Sequence, residues 1–219
     1  MWHASKNARK LWGVSVALRL LVYDATQARR PPRLLGWSWR AGAALYRARG
    51  WLDGSLGARS VDEAFDFLGR AEDPIAEIQF WGHGKWGRAL VDGESFDRSA
   101  LAPNHRLRPK LEALRERLAP GALVWFRTCE TLGALPGQDF ARALGDFLGA
   151  RVAGHTFVIG FWQSGLHALE PGAAPTWDPR EGLAGGTPER PERAHVSGPH
   201  LPNTISCLTG RLPVFDAGQ

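Results

Sequence analysis

Lysine is scarce in this chain. Only positions 6, 10, 85 and 110 carry it, so the formal net charge of +5 rests almost wholly on arginine. Such a bias follows from base composition as readily as from anion binding, and it indicates no nucleic-acid partner. Cysteine is scarcer still: Cys129 and Cys207 can form one bridge at most. That excludes a disulfide-stapled scaffold and fits a reducing compartment. No Cys-x-x-Cys or His-x-x-x-His spacing joins His83, His105 and Cys129 into a zinc site. A glycine-rich phosphate loop is also missing, so nucleotide use is not indicated. No apolar run is long enough to span a bilayer. The segment Leu11 to Tyr23 resembles a signal-peptide core, but Arg19 interrupts it and no small-residue cleavage site precedes Arg29-Arg30-Pro31-Pro32. These absences predict a cytoplasmic protein with no cofactor and no metal.

What is present suits one α/β domain over residues 1–219, with 44% hydrophobic and 22% charged residues. Val14, Val16, Leu18 and Leu20 alternate and run on through Leu21-Val22-Tyr23, which predicts a buried strand ending at Asp24. The Arg/Pro stretch 29–33 reads as a loop, and residues 38–49 as a helix stopped by Gly50. Ser60 and Glu63 form a capping box opening a helix that carries Ala64, Phe65, Phe67 and Leu68. The next strand, Ile75 to Trp81, leads straight into Gly82-His83-Gly84. A hairpin or short meander is predicted over residues 88–96, around an Asp-Gly turn.

Leu107, Leu111, Leu114 and Leu118 have helical spacing, ended by Pro120-Gly121. The apolar strand 122–126 then runs into Arg127-Thr128-Cys129-Glu130. Phe140, Ala141, Leu144, Phe147 and Leu148 predict a helix closed by Gly149, with strands at 151–154 and 157–159 after it. Glycine and proline crowd residues 165–202, which read as a long irregular excursion, and the tail from Thr204 to Phe215 supplies one last strand or hairpin. Alternating strands and helices predict a three-layer α/β/α sandwich around a mainly parallel central sheet.

In open parallel sheets, ligands bind at the carboxyl ends of the strands. Two successive core strands end here in reactive side chains, His83 and Cys129, 46 residues apart and bridged by a helix. A thiol needs a base or a positive setting to become a nucleophile at neutral pH, and imidazole supplies the base. The glycines flanking His83 let a substrate backbone approach. The Gly84 and Cys129 amides are candidate oxyanion-hole donors.

The sequences Phe80-Trp81-Gly82-His83-Gly84 and Val124-Trp125-Phe126-Arg127-Thr128-Cys129 resemble the caspase-like cysteine peptidases, the group of caspases, metacaspases, gingipains, legumains and separases. The shared order is apolar strand, His-Gly, helix, apolar strand and nucleophilic Cys, over roughly residues 12–160; in caspases too the His precedes the Cys by about 50 residues. The resemblance implies a caspase-like fold and a cysteine endopeptidase acting on protein or peptide substrates through a thioester. The caspase Gln-Ala-Cys-Arg/Gln-Gly signature is absent, replaced by Arg127-Thr128-Cys129-Glu130-Thr131. Metacaspases carry an Asp two residues before the Cys, where it selects a basic residue. Arg127 stands there in this chain, which implies an acidic or polar residue before the scissile bond. The 165–202 segment would border the substrate groove and offers a site for self-cleavage.

Other readings accompany this one. The same fold serves as a non-catalytic interaction module with a regulatory protein partner, or as a cysteine hydrolase or amidase on a non-peptide substrate. Asp24 is either a specificity-pocket residue or a strand-terminating turn residue, and His155 either a substrate contact or a loop histidine. Glu130 either tunes the nucleophile or is a solvated residue, and Cys207 reads as a small core residue. The Arg- and Trp-rich stretch from Arg29 to Trp51 is either a surface patch or an amphipathic helix packed on the sheet.

Overall fold

The computed structural model describes residues 17–28 and 34–213. Val14 and Val16 of the first predicted strand, the 29–33 loop and the tail beyond Pro213 lie outside them. In chain order the first elements are β1 (Leu18–Asp24), α1 (Leu34–Ala48), β2 (Gly54–Ala58), α2 (Val61–Gly69) and β3 (Ile75–Trp81). A small meander follows, of β4 (His83–Lys85), β5 (Arg88–Val91) and β6 (Glu94–Asp97). Then come α3 (Arg108–Arg115), β7 (Leu118–Arg127), α4 (Ala134–Leu148) and β8 (Arg151–His155). The chain continues through β9 (Trp162–Gln163), β10 (Leu166–Leu169), β11 (Leu183–Gly186), β12 (Pro191–Ala194) and β13 (Ile205–Ser206).

Six strands make the central sheet, in the order β10-β8-β7-β3-β1-β2. Every neighbour pair is parallel except β10 with β8. The order dictates where the helices go. The step from β1 to β2 runs toward one edge, whereas β2 to β3, β3 to β7 and β7 to β8 all run the other way. Right-handed crossovers therefore put α1 alone on one face and α2, α3 and α4 on the opposite one. The layered α/β architecture agrees with the sequence expectation.

The three-helix face holds the main core. Val22, Ile78, Phe80, Val124 and Phe126 point there and pack on Phe65, Leu111, Phe140 and Leu144. Phe80 and Phe126 stack with centroids 5.3 Å apart, and Phe96 of the meander packs edge-on against Phe65 and Phe140. On the other face, α1 covers Leu21 and Trp81 through Ala43 and Tyr46. Among the described residues no helix covers β7 and β8 there. Ile205 and Leu212 of the late chain cover Leu123 and Trp125 instead.

Several local predictions hold. The Ser60 hydroxyl accepts from Glu63 N at 3.1 Å, although Glu63 reaches back to Arg59 N rather than to Ser60 N. Gly149 ends α4 in the left-handed conformation, φ 63°. Others change. Leu118 belongs to β7, because Ile75 pairs with it and Glu77 then pairs with Leu123, leaving Pro120 and Gly121 in the looped-out part of that register. Residues 157–159 form no strand; only an isolated bridge joins Val158 to Val196. The 165–202 segment is not wholly irregular: it supplies the antiparallel edge strand β10 and the β11–β12 hairpin.

Candidate functional site

β3 and β7 are neighbours, with Phe80 paired to Phe126 and Trp81 to Arg127. The chain therefore leaves both strands on the same rim, one carrying His83 and the other Cys129. Gly84 brings the two exits together. A Cβ there would lie 2.5 Å from the Cys129 carbonyl oxygen and 2.8 Å from Thr128 Cβ, so only glycine permits this approach. Lys85 and Arg88 flank the two-residue turn between β4 and β5. In the alternating antiparallel ladder the Gly84–Ala89 pair is then the non-hydrogen-bonded one, and the Gly84 N–H faces the open edge of β4.

The turn carrying Cys129 is pinned on several sides. Glu130 N donates to Phe157 O at 2.9 Å, Leu132 N to His155 O at 3.0 Å, and Gly87 N to Thr131 O at 2.9 Å. The Thr128 and Thr131 hydroxyls lie 2.5 Å apart. Glu130 takes a left-handed φ of 36°, which a glutamate adopts only at a conformational cost. Among the described residues no backbone carbonyl accepts from the Cys129 N–H, which faces its own Sγ.

Burial pushes the Cys129 thiol above its ordinary pKa; the neighbouring Glu130 charge adds to this and Lys85 opposes it. Its Sγ contacts the Ile159 carbonyl oxygen at 3.8 Å. His83 is half-buried, its ring edge-to-face with Trp39 at 5.6 Å. Among the described residues no hydrogen bond joins His83 to Cys129. The fold sets both on one rim, with the Cys129 sulfur against the Ile159 carbonyl.

Of the other predicted site residues, Arg127 and His155 sit differently from expectation. Arg127, predicted to read a substrate side chain, is 4% exposed. Strand alternation turns it to the α1 face with Trp125, and its guanidinium lies 4.7 and 5.3 Å from the Trp125 and Trp81 ring centroids. All five donors are taken: Nε and Nη2 by Gln163 Oε1, Nη1 by the Tyr46 hydroxyl and Thr209 O, and Nη2 again by Ser206 O. None is left for a substrate. His155, predicted as a substrate contact, is fully buried. Burial, then the Arg127 charge, lower its pKa to about 3. Its Nδ1 pairs with Ser164 O at 3.1 Å and its Nε2 has no partner among the described residues.

Asp24 is buried at the end of β1, and its carboxylate accepts from Thr26 N and Oγ1, Gln27 Nε2 and Asp92 N. Those bonds are the ones a strand-terminating turn residue makes, and Asp24 also lines a small pocket with Trp81, Gly82 and Thr128. Cys207 is only half-buried; its N–H donates to Phe161 O and its carbonyl accepts from Tyr46. In α1, Tyr46 faces the sheet, Trp39 reaches His83, and Trp37 is exposed.

Sequence reasoning took Glu130 for a solvated residue. It is buried instead, its Oε1 is 3.8 Å from Lys85 Nζ, and its Oε2 has no partner among the described residues. Desolvation raises its pKa, with Lys85 opposing. Its place directly after Cys129 is the signal in the sequence.

An open groove along Leu183 to Glu189 lies on the β11–β12 side and includes neither His83 nor Cys129. No helix among the described residues is long and apolar enough to cross a membrane. No family model matches the chain, and no curated protein or solved structure matches it either.

Proposed function

We propose that the protein is a cysteine peptidase of caspase-like type, with Cys129 as nucleophile and His83 as general base and acid. The observation that carries this reading is the Gly84 contact: the strand bearing His83 lies directly on the Cys129 turn. In the reaction, Sγ rotates off Ile159 O and His83 takes its proton. The thiolate attacks the peptide carbonyl carbon, and the carbonyl π electrons move onto oxygen. The Gly84 and Cys129 N–H groups hold that oxyanion. When it collapses, the C–N bond breaks and the leaving amine takes the proton from His83. Water, deprotonated by His83, then attacks the thioester and releases the acid and the thiol.

Since the Arg127 donors are all used, an acidic preference has no reader there. The deciding test is labelling of Cys129 by a peptidyl acyloxymethyl ketone, followed by mass spectrometry. Cys129 should label well ahead of Cys207, and His83→Ala should slow it by about a hundredfold or more with the melting temperature unchanged. Equal labelling of the two cysteines, or no effect of His83→Ala, refutes the reading in favour of a non-catalytic module. Cleavage of small amide reporters but no peptide would move the protein to the non-peptide hydrolases.

A further inference from the structure

The carboxylate of Glu130, one residue from Cys129, is incompletely bonded. Its Oε2 is buried and without a partner among the described residues, and its Oε1 has only the Lys85 ammonium at 3.8 Å, beyond a normal hydrogen bond. An unpaired buried carboxylate oxygen is costly, and the left-handed backbone at Glu130 adds to that cost. Both persist one residue from the nucleophile. Lys85 is held loosely: its side chain is 47% exposed, and its Nζ also lies 4.3 Å from the centroid of the Trp86 ring.

We propose that Glu130 and Trp86 form a subsite for a guanidinium group of the substrate, an arginine side chain close to the scissile bond. The inference rests on the peptidase reading for that placement. Lys85 Nζ occupies the subsite in the absence of substrate and swings into solvent when substrate enters. The geometry favours guanidinium over ammonium. A single ammonium already sits there and leaves Oε2 unpaired, whereas a planar fork of N–H donors pairs with both oxygens at once. The same plane stacks on an indole face. This reverses the acidic preference that Arg127 implied from its position alone.

The test uses the full chain carrying Cys129→Ala, so that binding is read apart from chemistry. N-acetyl-arginine methylamide should quench tryptophan fluorescence saturably and bind more tightly than the norleucine and aspartate analogues. Adding Glu130→Gln should weaken arginine binding about tenfold or more, and Lys85→Ala should strengthen it. If Glu130→Gln lowers the melting temperature, Glu130→Asp, which keeps the charge but shortens its reach, should weaken binding as well. Equal binding of the arginine and norleucine compounds overturns the subsite, as does arginine binding that neither Glu130 variant changes. The two readings fail separately. Arginine binding with an unreactive Cys129 defeats the peptidase and leaves the subsite, while a reactive Cys129 without arginine binding defeats the subsite alone.

Discussion

Gly84 leaves no room for a side chain against the carbonyl of Cys129: a Cβ on it would lie 2.5 Å from that oxygen. The atoms it would meet are the Thr131 hydroxyl, the Cys129 carbonyl oxygen and Thr128 Cβ, and the last two cannot swing aside. Gly84→Ala should push β4 off the turn, cost about 1–3 kcal/mol in urea denaturation and abolish labelling of Cys129. Gly82→Ala meets Leu90 O at 3.2 Å and should cost less. Equal losses at the two positions would contradict this account of the rim.

Arg127 makes a second prediction, about stability rather than specificity. A lysine offers three donors from one point and cannot reproduce the five-bond fork, so Arg127→Lys should lose roughly 3 kcal/mol. In whatever fraction stays folded, the ratio of arginine- to aspartate-reporter cleavage should not move. A shifted ratio would restore Arg127 to substrate reading.

His155 makes the fold sensitive to acid. Its pKa falls from 6.5 unfolded to about 3 folded, so between those values the unfolded chain binds a proton that the folded one refuses. Stability is then complete above about pH 6.5 and declines as pH drops toward 3, by up to roughly 1.4 kcal/mol per pH unit. His155→Asn retains a donor for Ser164 O but has no titrating group. It should flatten the slope of denaturation free energy between pH 6 and 4, by about the same amount per unit. An unchanged slope would assign the acid sensitivity elsewhere.

The charges around Cys129 should be visible in its alkylation. Burial holds the thiol above the usual range, Glu130 raising it further and Lys85 lowering it. The pH midpoint for iodoacetamide reaction at Cys129 should therefore fall in Glu130→Gln and rise in Lys85→Ala. Midpoints that move together, or not at all, would remove both residues from the electrostatics of the nucleophile.

Much of this arrangement is legible in the residue order. Strand 75–81 and the capped helix after Ser60 are local patterns, and local patterns predict well. The pairing of β3 with β7 follows from the helix between them. Alternation also places Arg127 beside Trp125 and away from Phe126, a cue that outweighs its distance from Cys129 in sequence. β10 is harder to read: four residues among glycines and prolines carry little pattern, and only the exposed edge of β8 makes them a strand. The burial of Glu130 has no local cause either, since it depends on Trp86, Phe157 and Gly133 closing around the turn.

The face that α1 covers only in part has a consequence for how the protein is made. Arg127 completes its bonding on the carbonyls of Ser206 and Thr209, and Arg19 donates to that of Gly210, 191 positions along the chain. A ribosome delivers β1 and β7 long before it delivers those acceptors. The three-helix side can collapse while synthesis continues, but the opposite side stays open, with a charged guanidinium exposed between two indoles. That face is therefore completed only after residues 206–210 have been made. A chain stalled short of residue 206 would present an unfinished surface of the kind that chaperones and proteases act on.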